Sequence, residues 1–134
     1  MAKWLFKEEP THYSYADLER DGTAVWDGVA NALALQHLRK VRSGDRVLLY
    51  HTGKEKAVVG EMVVTGGPVA GDGKAVAVTV RAVRRLQHPV TLARIKKDPA
   101  FAGWELVRLS RLSVMPVTDA QWRRVEELGK NPGG

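Results

Sequence analysis

The sequence predicts an α+β fold built on a curved or barrel-like sheet. Strand-like and helix-like segments alternate along the 134 residues, but they do not follow the regular order of βαβ units. The middle of the chain contains consecutive strand-like segments typical of a β-meander, and helix-like segments lie on either side of it. At about 100–200 residues per domain, we expect one domain over residues 1–130 and a flexible tail over residues 131–134.

The first segments are a strand and a short helix. An apolar strand begins at residues 4–6 and ends before Pro10, because proline cannot donate to a β-ladder. Ser14 and Asp17 have the spacing of a capping box, which predicts a helix over residues 15–20.

A second strand and a longer helix follow. Residues 23–26 are predicted as a short strand that ends at the turn signal Asp27-Gly28. Apolar residues recur at a spacing of three from Leu35 to Val41, which predicts a helix over residues 29–41.

The centre of the chain is predicted to form the sheet. Residues 46–51 and 57–64 are apolar runs separated by a short turn, so they are predicted as a hairpin. Residues 66–74 contain four glycines and one proline and are predicted as a loop. Residues 75–86 alternate in the period of a strand, and Pro89 is predicted to end that strand.

The last part of the chain contains short helices and a final strand. Thr91 is predicted to cap a short helix through Lys97, and a further helical turn is predicted at residues 98–101. Residues 112–117 are predicted as the last strand. A capping box at residues 118–121 predicts a final helix, whose buried stripe is expected to contain Trp122, Val125 and Leu128.

Composition excludes several classes of protein and favours one kind of partner. The chain has no cysteine, which rules out disulfides, thiolate metal sites and a cysteine nucleophile. It has no apolar run of about 18 residues and no signal-peptide pattern, so we expect a cytoplasmic protein with no membrane partner. Lys and Arg number 21 against 15 Asp and Glu, for a net charge of +6, which suits a partner that carries phosphate.

The sequence lacks the usual patterns of catalytic and cofactor sites. The glycine-rich residues 66–74 fail the phosphate-loop pattern at Pro68 and at Ala75. No two of the four histidines have metal-ligand spacing with a carboxylate between them. Glu8 and Glu9 lie near a turn and suit acid–base chemistry, but the pattern fits the charges of a solvated loop better. We therefore expect no catalytic residue, no metal and no cofactor.

Two local patterns have both a functional and a structural interpretation. Trp26 stands at a turn before a predicted helix, where an aromatic face is available to stack on a base, but a core tryptophan fits the same pattern. Residues 7–10 carry a lysine and two carboxylates that suit a base edge, and they also suit a charged loop. The basic residues cluster at residues 39–42, 81–85 and 108–124, and each cluster fits either phosphate contacts or an ordinary solvated face.

Seven short motifs occur in order over nearly the whole chain. They are WLFKEEP at residues 4–10, YSYADL at 13–18, WDGVAN at 26–31, GDRVLLYH at 44–51, VVGE at 58–61, PVTLARIK at 89–96 and RLSVMPV at 111–117. In this order and at this spacing, they resemble the EVE domain, a member of the PUA-like superfamily.

The resemblance implies a PUA-like curved β-barrel of about five to six strands flanked by helices. It also implies a non-catalytic module that holds a modified base of DNA or RNA in a pocket with an aromatic wall. Trp26 would stack on the extruded base. The other implied pocket residues are Lys7, Glu8, Pro10, Asp27, Val29, Asn31, Tyr50 and His51. The candidate contacts to the nucleic-acid backbone are Arg39, Arg84, Arg85, Arg111 and Ser113.

The sequence departs from the family pattern at the expected pocket. Glu8 replaces the usual serine, so a carboxylate there would repel phosphate and favour a base with an amine donor. Ala30 replaces the usual arginine, and residues 66–74 have no aromatic residue to supply a second wall. Trp104 is the remaining candidate for such a wall, although it also fits the core.

Three other functions remain open from the sequence. The first is a general RNA-binding PUA-like module without base selectivity. The second is a small hydrolase related to ASCH domains. The third is an adaptor for a partner protein, which would require an exposed apolar patch. In each case we expect a monomer.

Overall fold

The computed structural model describes residues 1–70 and 76–132. Predictions for residues 71–75 of the glycine-rich segment and for the end of the tail, residues 133–134, lie outside the described residues. The described part contains six strands, five α-helices and a single 3-10 turn. They are β1 (Lys3–Glu8), α1 (Tyr15–Asp21), β2 (Thr23–Trp26), α2 (Ala32–Lys40), β3 (Arg46–His51), β4 (Ala57–Ala70), β5 (Val76–Thr91), α3 (Leu92–Lys97), the 3-10 turn (Pro99–Phe101), α4 (Glu105–Arg108), β6 (Val114–Pro116) and α5 (Asp119–Gly129).

The six strands form one mixed sheet in the order β2-β5-β4-β3-β1-β6. β1 pairs with β3 in parallel, and the other pairs are antiparallel. Within the described residues, the edge strands β2 and β6 do not pair with each other, so the sheet does not close into the predicted barrel. The α+β class and the number of strands are confirmed.

The open sheet is nevertheless strongly curved. In a flat sheet β2 would lie about 19 Å from β1, because three strands separate them. Instead, the ring of Trp26 on β2 lies 5.7 Å from the ring of Phe6 on β1, centroid to centroid. Register shifts occur between β3 and β4 and at several points between β4 and β5. Such irregularities bend a sheet, and here they bring its two ends around one apolar core.

Local capping signals confirm several predicted helices. Both capping boxes are present, at Ser14 for α1 and at Thr118 for α5. Thr91 caps α3 by accepting from the Arg94 backbone N–H. Of the predicted stripe on α5, Trp122 and Val125 are buried, whereas Leu128 is partly buried.

Four predicted boundaries are wrong. The helix predicted from residue 29 begins at Ala32, because Asn31 is its N-cap and its side chain accepts from the Ala34 backbone N–H. Residues 66–70 belong to β4 rather than to a loop. Pro89 lies inside β5, at one of the register shifts, where its missing N–H costs no ladder bond. The last strand is shorter than predicted, at Val114–Pro116.

A buried carboxylate joins the N-terminus to the central strands. Asp45 is 4% exposed. It accepts hydrogen bonds from the Trp4 indole Nε1–H at 2.9 Å, the Arg42 backbone N–H at 2.9 Å and the Ala2 backbone N–H at 3.1 Å. Since Asp45 directly precedes β3 and Trp4 lies in β1, these bonds hold the two parallel strands in register.

We expect Asp45→Ala to lower the free energy of unfolding by about 3 kcal/mol, because it leaves the buried indole N–H of Trp4 and two partly buried backbone N–H groups without a partner. Chemical denaturation monitored by tryptophan fluorescence measures the loss. The control is Asp119→Ala, which removes an exposed carboxylate that pairs with Lys3. Equal losses in the two variants would contradict this role of Asp45.

Candidate functional site

The ends of β1 and β3 lie side by side and carry four of the sequence-predicted pocket residues. In the parallel register, Lys7 is the partner of Tyr50, and Glu8 is the partner of His51. Successive side chains on a strand point to opposite faces of the sheet. Lys7 and Tyr50 therefore lie on one face, and Glu8 and His51 lie on the other, so these four residues do not line a single pocket.

One cavity lies on the Glu8 face, between the end of β1, the turn that follows it and the end of β2. We call it the Trp26 cavity. It has a volume of about 180 Å³. It is lined by Glu8, His12, Tyr13, Ala24, Val25, Trp26 and Asp27. His12, Val25 and Asp27 are exposed and form its rim, whereas Trp26 is buried and forms its floor.

Two aromatic rings meet at the Trp26 cavity. Trp26 is only 5% exposed, and one side of its ring packs against Phe6 in the core. The ring of Tyr13 stands nearly perpendicular to that of Trp26, at 80° and a centroid distance of 6.4 Å. The cavity thus has an aromatic floor and a second aromatic wall.

An acidic residue at the end of α1 fixes the position of the Tyr13 ring. Its hydroxyl donates to Asp21 Oδ2 at 2.9 Å. Burial, together with this bond to Asp21, raises the pKa of Tyr13 to about 12, so the phenol stays neutral at physiological pH. Arg20 in turn binds the Asp21 carboxylate. The wall is therefore positioned before any ligand arrives.

Carboxylates give the Trp26 cavity an acidic character. Glu8 Oε1 accepts from the Glu9 backbone N–H at 2.9 Å and lies 3.3 Å from His12 Nδ1. Within the described residues, Glu8 Oε2 has no hydrogen-bond partner, and Asp27 at the rim has no ion-pair partner. An acceptor oxygen is thus available beside the two aromatic rings.

Sequence reasoning missed Tyr13 and His12 as pocket residues. The motif at residues 13–18 included Tyr13, but only as a mark of the family. A signal was present, because Tyr13 directly precedes the cap Ser14 and is therefore held at the start of α1. The contact between Tyr13 and Trp26 depends on the curvature of the sheet, which no local pattern indicates.

His51 has a structural role on the inner face. The Tyr15 backbone N–H donates to His51 Nε2 at 3.1 Å, so the proton of a neutral ring lies on Nδ1, 2.7 Å from Glu55 Oε1. Tyr15 itself packs over Gly60, where an added Cβ would lie 2.5 Å from its ring. His51 Nε2 therefore joins α1 to the sheet and Nδ1 contacts the turn after β3, so both nitrogens are occupied away from the Trp26 cavity.

Asn31 lies at a different cavity, of about 340 Å³. Its side chain is committed to capping α2, as described above. Arg108 and Arg111 also line this cavity, which we call the Asn31 cavity. Within the described residues, neither arginine has a carboxylate partner. Arg108 Nε donates to the Gly103 carbonyl at 2.8 Å, so its terminal nitrogens and the guanidinium of Arg111 are available to an anion.

The remaining predicted residues have varied environments. Val29 packs against the core, and Pro10 is half-buried in the turn after β1. Arg39 is exposed. The backbone carbonyl of Ser113 accepts from the Lys7 N–H at 2.9 Å.

Arg84 and Arg85, predicted to contact the nucleic-acid backbone, already pair with carboxylates. Arg84 Nη2 lies 2.8 Å from Glu126 Oε2, and Arg85 Nη2 lies 2.7 Å from Glu19 Oε1. Phosphate binding at either arginine would have to compete with these ion pairs. Trp104, the other candidate for a cavity wall, is buried and stacks on Phe101 in the core.

Residues 1–70 and 76–132 contain neither a metal-binding cluster nor a membrane-spanning helix. No group of three or more His, Asp or Glu side chains is placed to hold a metal ion there. None of the helices in these ranges is long and apolar enough to cross a membrane.

Comparison with known proteins identifies the family of this chain. A search of curated proteins gave no match. Rpa0253 from Rhodopseudomonas palustris is a solved structure with 37% identity and a TM-score of 0.88, over 96% of this chain and 93% of that one. Atu2648 from Agrobacterium tumefaciens has 33% identity and a TM-score of 0.91, over 98% of this chain and 97% of that one.

A human protein has the same fold at lower sequence identity. Human THYN1, solved in complex with DNA containing 5-methylcytosine, has 24% identity and a TM-score of 0.87, over 98% of this chain and 99% of that one. The family model of the EVE domain matches residues 2–128. Because this match spans nearly the whole chain, the protein belongs to the EVE domain family.

Proposed function

We propose that this protein is a non-catalytic nucleic-acid-binding module that holds one extruded, modified base in the Trp26 cavity. The observation that carries the proposal is the arrangement of Trp26, Tyr13 and the unpartnered Glu8 oxygen around that cavity. Human THYN1, which has the same fold, was solved with DNA containing 5-methylcytosine, and this supports a nucleic-acid ligand.

The carboxylate of Glu8 favours a base with an exocyclic amine. A carboxylate accepts a hydrogen bond from an amine such as N4 of cytosine, whereas it repels a carbonyl oxygen at the same place. The apolar side chains of Ala24 and Val25 line the same cavity and suit a methyl group. A methylated base with an exocyclic amine therefore fits both the carboxylate and the apolar part of the cavity lining.

The energetics require contacts outside the cavity. Extruding a base from its stack costs a few kcal/mol, and stacking on an aromatic ring returns about 1–3 kcal/mol. Phosphate contacts supply the remainder and make binding depend on salt. Arg108 and Arg111 suit these contacts, because both are exposed and neither pairs with a carboxylate in the described part of the chain.

Base-independent binding of RNA is the second candidate function. The same two arginines favour it, because phosphate contacts alone give binding that does not depend on the base. The two functions differ in their response to a single exocyclic group on one base.

Two nucleic-acid strands that differ in one exocyclic group of one base distinguish these functions. Thymine has the C5-methyl group of 5-methylcytosine but has a carbonyl in place of the amine. We expect the protein to bind a short strand with 5-methylcytosine at least about fivefold more tightly than the same strand with thymine. Fluorescence anisotropy in competition format measures the ratio.

The matched variants are Glu8→Gln and Glu9→Gln. Glu8→Gln should remove most of the preference, because an amide offers a donor to the carbonyl of thymine. Glu9→Gln should keep the preference, because Glu9 does not line the Trp26 cavity. Equal binding of the two strands by the unmodified protein would exclude recognition of the amine by Glu8.

The second prediction concerns the aromatic wall. Tyr13→Ala should weaken binding of the 5-methylcytosine strand at least about fivefold, because it removes one of the two rings. Tyr13→Phe should bind like the unmodified protein, because it keeps the ring and loses only the bond to Asp21. We choose Tyr13 over Trp26 because truncating the buried Trp26 would cost about 3–5 kcal/mol of folding stability. If Tyr13→Ala retained full affinity, Tyr13 would have no part in holding the base.

The third prediction concerns the phosphate contacts. Arg111→Ala should lower the slope of log K against log salt concentration by about one unit. Arg84→Ala removes the same charge but should leave the slope unchanged, because Arg84 already pairs with Glu126. The slopes come from binding isotherms at several salt concentrations. An unchanged slope in Arg111→Ala would place the phosphate contacts elsewhere on the protein.

A further inference from the structure

A second cavity lies on the opposite face of β1 from the Trp26 cavity. We call it the Lys7 cavity. Its volume is about 280 Å³. Its polar lining consists mainly of Lys7, Tyr50, Thr52, Lys56, Lys96 and Ser110, and its remaining walls are largely apolar. It takes residues from β1, β3, the turn after β3, α3 and the region of α4, so several separate parts of the chain build it.

The lining of the Lys7 cavity is strongly cationic. Three lysines line it, and no carboxylate does so among the described residues. The nearby carboxylate of Glu9 accepts from the Thr52 hydroxyl at 3.4 Å, but Glu9 does not line the cavity. None of the three lysines forms an ion pair within the described part of the chain. The three lysines thus line one space without pairing to a carboxylate.

Lys7 is held in the cavity wall by weak partners. Its ammonium group donates to the Ser110 backbone carbonyl at 3.0 Å and lies 5.7 Å from the centre of the Tyr50 ring. Partial burial lowers the pKa of Lys7, because desolvation penalises the charged form. An ammonium group has three donors, and the carbonyl uses one of them. An anion in the cavity would use the others and offset the cost of burial.

Tyr50 provides a hydrogen-bond donor at the same cavity. Most of its side chain is buried, since Tyr50 is only 3% exposed, and it lines the Lys7 cavity. Its hydroxyl has no hydrogen-bond partner among the described residues and is not one of the fully buried polar atoms, so it is accessible to a ligand. Burial raises the pKa of Tyr50, so the phenol keeps its proton and acts as a donor.

We propose that the Lys7 cavity binds a phosphate group, to which the three lysines contribute charge and Tyr50 donates a hydrogen bond. Phosphate offers several acceptor oxygens at once, which matches convergent lysine and hydroxyl donors. The apolar walls accommodate the organic part of a phosphate ester. This site does not depend on the proposed base pocket, because the two cavities lie on opposite faces of β1 and share no lining residue.

Inorganic phosphate is the first probe. We would titrate it into the full chain at constant ionic strength, with chloride as the balancing anion, and follow the backbone amide signals of Gly53 and Ser110 by NMR. We expect saturable shifts at these two residues. Linear shifts spread over all the basic surfaces would mean unspecific ion binding and would overturn the proposal.

Single substitutions distinguish a specific phosphate site from nonspecific attraction to positive charge. Lys7→Gln and Lys96→Gln should each weaken phosphate binding at least about fivefold, and Tyr50→Phe should weaken it about threefold or more. The control is Lys54→Gln, because Lys54 lies on the same turn as Lys56 but does not line the cavity. Equal weakening by Lys54→Gln would overturn the proposal. Tyr50→Phe also guards against misfolding, since it removes a single hydroxyl.

The phosphate can come from the end of a nucleic-acid strand or from a free nucleotide. We would compare a strand with a 5′-phosphate, the same strand with a 5′-hydroxyl, and a nucleoside 5′-monophosphate. A gain in affinity from the phosphate supports the site if Lys7→Gln abolishes that gain. Whether the strand or the nucleotide shows the gain identifies the source of the phosphate. No such gain in either arm would overturn the proposal. The titration with inorganic phosphate involves no base, so failure of the base pocket and failure of this site are distinguishable.

Discussion

The parallel pairing of β1 with β3 is the interaction on which the rest of this structure depends. It places Lys7 beside Tyr50 and Glu8 beside His51 at the ends of two buried strands. A slip of one residue would move every side chain of β1 to the other face of the sheet. Asp45 opposes such a slip, because it binds the indole of Trp4 on β1 from the start of β3. A single buried carboxylate therefore helps to determine which side chains of β1 lie on each face of the sheet.

The two faces differ in charge although the chain as a whole carries +6. The Trp26 cavity has carboxylates of Glu8 and Asp27 beside aromatic rings. The Lys7 cavity has three lysines and a buried phenol. Strand alternation thus separates groups that are adjacent in sequence into an acidic cavity suited to an amine-bearing base and a basic cavity suited to phosphate. Net charge alone does not indicate this division.

Local patterns predicted the parts of the fold that depend on local interactions. The capping boxes at Ser14 and Thr118 were correct, because a cap involves groups only three residues apart. The alternation over residues 76–81 correctly predicted a strand, and its valines form the buried face of β5. The helix predicted from residue 29 began too early, because apolar spacing locates a helix face but does not identify the cap at Asn31.

The candidate site was less predictable because long-range contacts build it. The motif at residues 4–10 made Lys7 and Glu8 look like one edge of a pocket, but the pleat of the strand separates them. The sequence suggested His51 as a pocket residue, but its Nε2 accepts from the backbone N–H of Tyr15, 36 positions away. Arg84 resembled a free phosphate contact, yet Glu126 neutralises it from 42 positions away. No pattern within one segment indicates such partners.

The most direct test of the account is to observe where a base binds. The four tryptophans give four indole N–H signals in a nitrogen-labelled protein, and Trp26 is the one that lines the proposed base cavity. During titration with a short 5-methylcytosine strand, we predict a saturable shift of the Trp26 indole signal, with those of the buried Trp104 and Trp122 unchanged. An unchanged Trp26 signal at saturating strand, with shifts only near Arg108 and Arg111, would contradict the base pocket and leave a phosphate-binding surface.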